Sequence, residues 1–292
     1  MYPVIRAKGR QRTIIQQSYR LQEDDGRITD LEYLQFPKLK EVKQIRHLFT
    51  TRMGGVSEEH LASMNLSFSR GDAPRNVIEN YRRIGQVMEC SVEKIVASHQ
   101  THTTNIRVVT AEDAGKGVVI DRDYTDIDGL ITDVEGLALA CFYADCVPLY
   151  FVDPIKNVIG LAHSGWRGTA AGMGRCMVHK MQEVYGCDPQ DIIAAIGPSI
   201  CQNCYEIGEE VAMEFQKGLW KDELLKPGKE KGKYQLDLWL ANLIVLQSAG
   251  ISLDHIDITD ICTCCNPEYL FSHRASHGMR GNLAAFLMLK QQ

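Results

Sequence analysis

The chain has 292 residues, with 32 Lys+Arg against 37 Asp+Glu and a formal charge of −5. That length supports one large core, and the acidic balance argues against a basic nucleic-acid platform. No apolar run reaches the ~18 residues of a membrane span; the longest, from Leu137 to Val152, is broken by Asp145 and Pro148. The first residues, MYPVIRAKGRQRT, run from apolar to basic, the reverse of an export signal. The expected compartment is cytoplasmic, where the 10 cysteines stay mostly reduced.

In chain order, residues 1–48 carry no recognisable motif and have no assigned role. A helix is expected from Asp72, with Asp-Ala-Pro as its cap and Val77, Tyr81, Ile84 and Met88 along one stripe. Leu137–Ala144 and Val147–Val152 read as strands, Asp153–Asn157 as a turn and Val158–Ala162 as the returning strand. A helix follows from about Thr169, facing Met173, Met177, Met181 and Val184 inward and ending at Gly186. Ile207, Val211, Phe215 and Leu219 form another helical stripe, as do Leu236, Leu240, Leu243 and Leu246 before a stop at Gly250. The charged, glycine-interrupted Lys221–Lys233 stretch reads as a solvated loop. Strands and helices interleave irregularly, which predicts an α+β domain with mixed sheets layered with helices.

The chemistry gathers at the strand ends. A turn centred near Ile155 puts Cys146 almost opposite His163, where side chains sit about 5 Å apart, although a slip of one residue would flip a face. His99 and His102 lie in Ser98-His-Gln-Thr-His-Thr103, and at most one of them faces the hairpin. His, His and Cys form a ligand set for catalytic zinc with one coordination position left for water, whose pKa the metal lowers toward ~7. The rival arrangement is a metal-free Cys146–His163 dyad with the thiol as nucleophile. Gly165, Gly168 and a helix start at Thr169, with Arg167 beside them, would suit an anion. A second candidate cation, Arg52, sits in the tight turn Thr51–Ser57. Cys201/Cys204 and Cys262/Cys264/Cys265 have the local spacing of zinc ligands, but the long chain between them is unlike a compact zinc module. Buried reduced thiols are the favoured reading there.

The run of Phe49-Thr-Thr-Arg-Met-Gly-Gly-Val-Ser57, Gln100-Thr-His102, Ala144-Asp-Cys-Val-Pro148, His163-Ser-Gly-Trp-Arg-Gly168, Cys204-Tyr-Glu206 and Phe271-Ser-His-Arg274 resembles the laccase-domain family. That family is named for polyphenol oxidase and read as purine nucleoside phosphorylases. The resemblance implies a domain over residues 49–292 with layered sheets and a metal site on His102, Cys146 and His163, which selects His102 over His99. It further implies phosphorolysis of adenosine, inosine and methylthioadenosine, adenosine deamination, and a role for Arg52. Cys146, His163 and Arg52 are thus the catalytic candidates, and Arg52 and Arg167 the phosphate-binding ones. The expected cofactor is about one zinc per chain. Copper also suits such ligands, but 9 scattered histidines fit a multicopper oxidase poorly. The competing functions are a metal-free cysteine hydrolase and a non-catalytic, metal-stabilised binding protein. Expected partners are purine nucleosides and phosphate, with no nucleic acid and no membrane; the oligomeric state is left open. Three departures from the family pattern stand out: Thr103, beside the metal ligands, where the family usually has glycine after Q-x-H; Asn80-Tyr81-Arg82 in place of Asn-Arg; and Met279-Arg280-Gly281 in place of the usual Gly-Arg near the C-terminus.

Overall fold

Strand Leu283–Leu289 is apolar at every position because both its faces are covered. Leu283, Ala285, Leu287 and Leu289 point into a core shared with a second sheet, while Ala284, Phe286 and Met288 meet a helix on the opposite side. The structure, a computed structural model, describes residues 1–8, 13–23, 26–217 and 222–291. Its first sheet runs, in spatial order, Ile15–Gln22, Ile28–Gln35, Ile45–Thr50, Leu283–Leu289, Ala138–Tyr143 and Ile95–Ala97. The second runs Ile256–Ile258, Ile193–Ile196, Val147–Asp153, Val158–Ser164, Gly129–Thr132 and Ile106–Val108. Both mix parallel and antiparallel pairs. The small third sheet joins Glu206–Gly208, Lys233–Leu236 and Leu225–Pro227.

Tyr150, Val152, Ile159 and Leu161 of the second sheet interdigitate with Phe49, Leu139 and Tyr143 of the first, forming the central core. Helix Pro74–Met88 covers the outer face of the first sheet, and helices Met173–Tyr185 and Leu238–Ser248 cover that of the second. The result is the expected α+β class in a single compact domain, four layers deep. Residues 15–22 and 28–35 form the edge hairpin of the first sheet.

Several elements differ from the sequence reading. Helix Pro74–Met88 buries its expected stripe, but Asp72 does not cap its backbone. The Asp72 carboxylate instead accepts from Ser57 Oγ, Asn65 Nδ2 and Asn76 Nδ2, tying the Ser57 turn to the helix start. The helix expected from Thr169 is two, Trp166–Ala170 and Met173–Tyr185, separated by Gly172 at φ +78°. Its three methionines are buried and Gly186 ends it in the left-handed conformation, whereas Val184 is exposed. Ile207 belongs to a strand, and the helix after it is only Glu209–Glu214; Leu219 lies outside the described residues. Of the expected leucine stripe, Leu246 is buried and Leu236 is buried in the preceding strand, but Leu240 and Leu243 are only half-buried. Helix Leu238–Ser248 buries Trp239, Asn242 and Val245 beside Leu246, because apolar residues surround it and leave periodicity no face to select. Lys221 also lies outside the described residues; from 225 to 236 the charged stretch forms two strands with its lysines in solvent.

Candidate metal centre

Antiparallel pairing of Val147 with Ser164 and Pro148 with His163 sets the geometry. In this register Cys146, just before the strand, stands opposite Gly165, two residues past His163, and so meets His163 diagonally. Asp145 turns the chain at φ +90°, a conformation that Asp tolerates better than most residues. Its carboxylate accepts from Thr263 Oγ1 at 2.6 Å and from Arg274 N at 2.7 Å. Asp145 is therefore anchored to the scaffold, while the following Cys146 is delivered to the site.

The third donor comes from a loop. His102 adopts φ +68°, and its loop is wound around the buried carboxylate of Asp128. Asp128 accepts the backbone N–H groups of Thr101, His102 and Thr103 at 2.9–3.1 Å, and the Thr103 hydroxyl at 3.0 Å. The departure at Thr103 thus adds a hydrogen bond to this carboxylate. Asp128 also accepts from His163 Nδ1 at 2.8 Å, which leaves Nε2 as the free lone pair of the ring. A carboxylate behind a ligating histidine is the usual way to fix its tautomer. One ligand atom each from His102, Cys146 and His163 lie within 4.8 Å of one another. A Cβ on Gly165 would come within 3.0 Å of both Cys146 Sγ and the His102 ring, so the small residue keeps this centre open.

The electrostatics agree with the geometry. Burial raises the Cys146 thiol, but the His163 and His102 rings outweigh it and bring the pKa down to about 6. Burial lowers His163, yet Cys146 and Asp128 lift it to about 9. Burial of Asp128 is overcome by the His163 and backbone hydrogen bonds, leaving it at about 2. An anionic sulfur, two imidazoles and an orienting carboxylate fit a borderline divalent metal.

The three donors open on a cavity of about 310 Å³ whose wall includes Phe68, Tyr143, Arg70, Arg122 and Arg280. Among the described residues none of the three arginines forms an ion pair. Arg122 donates to the Ser98 carbonyl, and Arg280 donates to Gly281 O and Asn282 Oδ1 while its buried Nε has no partner among the described residues. Burial and the neighbouring Arg70 lower the Arg280 guanidinium to about 10, so it stays cationic.

The two arginines singled out in the sequence are elsewhere. Arg52 donates from Nε to Ala62 O at 2.8 Å and from Nη1 to Pro267 O at 2.6 Å, and lies over the Phe271 ring. It ties loops together and does not line the cavity. Arg167 is exposed, with its guanidinium over the Trp166 ring; its five-residue helix is N-capped by Gly165, not by Gly168. His99 lines the cavity but accepts from Asp126 N through Nδ1. Sequence reasoning missed Asp128, whose only local signal is an Asp-Gly step opening a strand, and gave no role to Arg70 or Arg280.

The fold is of the α+β class, with a His–Cys–His cluster that could hold a metal ion at its strand ends. The chain belongs to the family described as multi-copper polyphenol oxidoreductase laccase, whose family model matches residues 46–290. It is 38% identical over 249 residues to purine nucleoside phosphorylase YlmD of Geobacillus stearothermophilus, covering 83% of this chain and 89% of that protein. It is 34% identical over 253 residues to purine nucleoside phosphorylase YlmD of Bacillus subtilis, covering 85% and 90%. The crystal structure of YlmD from Geobacillus stearothermophilus matches with a TM-score of 0.82 at 35% identity, over 89% of this chain and 96% of that one.

Proposed function

We propose that this protein is a zinc-dependent purine nucleoside phosphorylase acting on adenosine, inosine and methylthioadenosine, with adenosine deaminase activity. One observation carries the reading: His102, Cys146 and His163 converge on the same cavity as three arginines that form no ion pair among the described residues. The names of the relatives support the nucleoside and phosphate chemistry. When bound, the metal supplies a Lewis acid and a water acidified toward ~7.

The chain's own residues then divide the work. Asp128 holds His163 in one tautomer and fixes the loop that presents His102. Arg70, Arg122 and Arg280 are placed to hold phosphate, since guanidinium groups match its oxygens and are worth most in a confined site. Phe68 and Tyr143 offer aromatic faces for the purine. In phosphorolysis a phosphate oxygen bonds to C1′ while the C1′–N9 bond breaks, and the departing purine takes up a proton. Deamination adds water at C6 and releases ammonia. The two reactions therefore differ in whether phosphate is consumed.

The test is incubation of the purified protein with inosine or adenosine, with and without phosphate, and chromatographic separation of the products. Base release that depends on phosphate supports phosphorolysis, and inosine formed from adenosine without phosphate supports deamination. A multicopper oxidase would need more histidines at one place. Among the described residues only His102 and His163 join a metal-capable cluster. A cysteine hydrolase using Cys146 and His163 alone would keep its activity after chelation, and it leaves His102 without a purpose.

A further inference from the structure

The long chain between Cys201/Cys204 and Cys262/Cys265 does not keep them apart. Ser199 pairs with Cys262 as a parallel bridge beside strand Ile193–Ile196, bringing the two C-x-x-C segments face to face. Thr263 N donates to Ser199 O at 3.1 Å, and Trp239 Nε1 fixes the Ser199 hydroxyl at 2.6 Å. Each segment is folded as a tight turn, with Cys204 N donating to Cys201 O and Asn266 N to Thr263 O. The four sulfurs of Cys201, Cys204, Cys262 and Cys265 lie within 4.8 Å of one another. Cys204 and Cys265 are 3.5 Å apart, and Cys201 and Cys265 4.0 Å. A tetrahedral tetrathiolate with metal–sulfur bonds of ~2.3 Å needs sulfurs ~3.8 Å apart, whereas a disulfide needs ~2.05 Å. Cys201 N donates to Cys262 Sγ at 3.2 Å, a hydrogen bond that a thiolate accepts well. Cys264 lies outside the quartet.

We propose that Cys201, Cys204, Cys262 and Cys265 form a second, structural metal site that binds zinc through four thiolates. All four positions come from protein, so the ion would have no place for substrate. Its effect reaches the reaction centre through the scaffold. Thr263, inside the second turn, donates to Asp145, and Asp145 precedes Cys146. Arg274 reinforces the junction: its N–H also donates to Asp145, and its guanidinium binds the carbonyls of Cys204 and Glu206. The second ion would thus brace the turn that delivers Cys146.

Elemental analysis of the full chain, purified under reducing conditions with zinc supplied, tests the site. The wild type is expected to hold about two zinc ions per chain, and Cys146→Ala and Cys204→Ser about one each. Loading with cobalt in place of zinc separates the sites, since four thiolates give much stronger sulfur-to-cobalt absorption than one; that absorption should vanish in Cys204→Ser and persist in Cys146→Ala. If Cys204→Ser fails to fold, alkylation of the wild type decides. With zinc bound, the four thiols should resist iodoacetamide, and after chelation they should react. One metal per chain with these thiols equally reactive with and without zinc overturns the proposal, as does a Cys204–Cys265 disulfide in the purified protein. Loss of the quartet's metal with that of the His–Cys–His centre intact, or the reverse, tells failure of this inference from failure of the functional reading.

Discussion

Two donor clusters lie on either side of the Asp145 turn, and they differ in what they leave unfilled. His102, Cys146 and His163 give three donors at a cavity wall, with His102 exposed and Gly165 keeping the approach clear. Cys201, Cys204, Cys262 and Cys265 give four donors from two turns, and no coordination position remains. An open position suits catalysis and a closed one suits stability. The open centre also carries an orienting carboxylate, Asp128, whereas the closed one is held by backbone hydrogen bonds. Cysteine content therefore says little about function until the partners of each thiol are known.

The contrast breaks most sharply at the ligands. Cys146→Ala or His163→Ala should remove the open-site metal and reduce phosphorolysis by ~10³-fold or more, because several kcal/mol of Lewis-acid stabilisation is lost. Cys204→Ser should instead act on the fold, lowering the melting temperature by several degrees while the His–Cys–His metal remains, since structural zinc contributes folding energy directly. If the two variants gave the same profile of activity and melting temperature, the distinction between the sites would fail.

The pH dependence of metal uptake sharpens the open side. In the metal-free protein Cys146 ionises near pH 6 and His163 keeps its proton until about 9. Binding between these values must displace the His163 proton, so apparent affinity should rise about tenfold per pH unit and level off above about 9. Competition titrations against a chelator at fixed pH values measure this directly. A flat response from pH 6 to 9 would show that His163 is not a ligand.

Asp128→Asn keeps the shape but removes the charge behind His163, and should weaken open-site metal binding by ~10–100-fold without touching the cysteine quartet. Arg280→Ala should raise the KM for phosphate by about tenfold, the loss of one charge-assisted contact, with metal content unchanged. Arg52→Ala should leave that KM alone and lower thermal stability, because its guanidinium holds the Ala62 and Pro267 carbonyls. Steady-state rates at varied phosphate, beside melting curves, distinguish these two arginines.

Fold and site are legible in the sequence wherever local patterning and tertiary packing agree. The Val77, Tyr81, Ile84 and Met88 stripe, the 147–164 hairpin and the Gly186 stop follow from period and turn chemistry. The face of helix Leu238–Ser248 is not legible, since an all-round apolar helix has no periodic signal to read. Cys146 and His163 can be brought together because a short turn joins their strands. Asp128 cannot, because its partners Thr101–Thr103 and His163 approach it from both sides in sequence. The proximity of the cysteine pairs is hidden for the same reason: sequence distance argues against a shared site, and a sheet bridge at Ser199 removes that distance.

The most direct test of phosphorolysis at the His–Cys–His centre is release of hypoxanthine from inosine by zinc-loaded protein, measured as phosphate concentration is varied. Hypoxanthine formation should saturate with phosphate, match the phosphate consumed, and disappear in Cys146→Ala with the cysteine quartet still metallated. Phosphate-independent release, or full activity in verified metal-free protein, would contradict it.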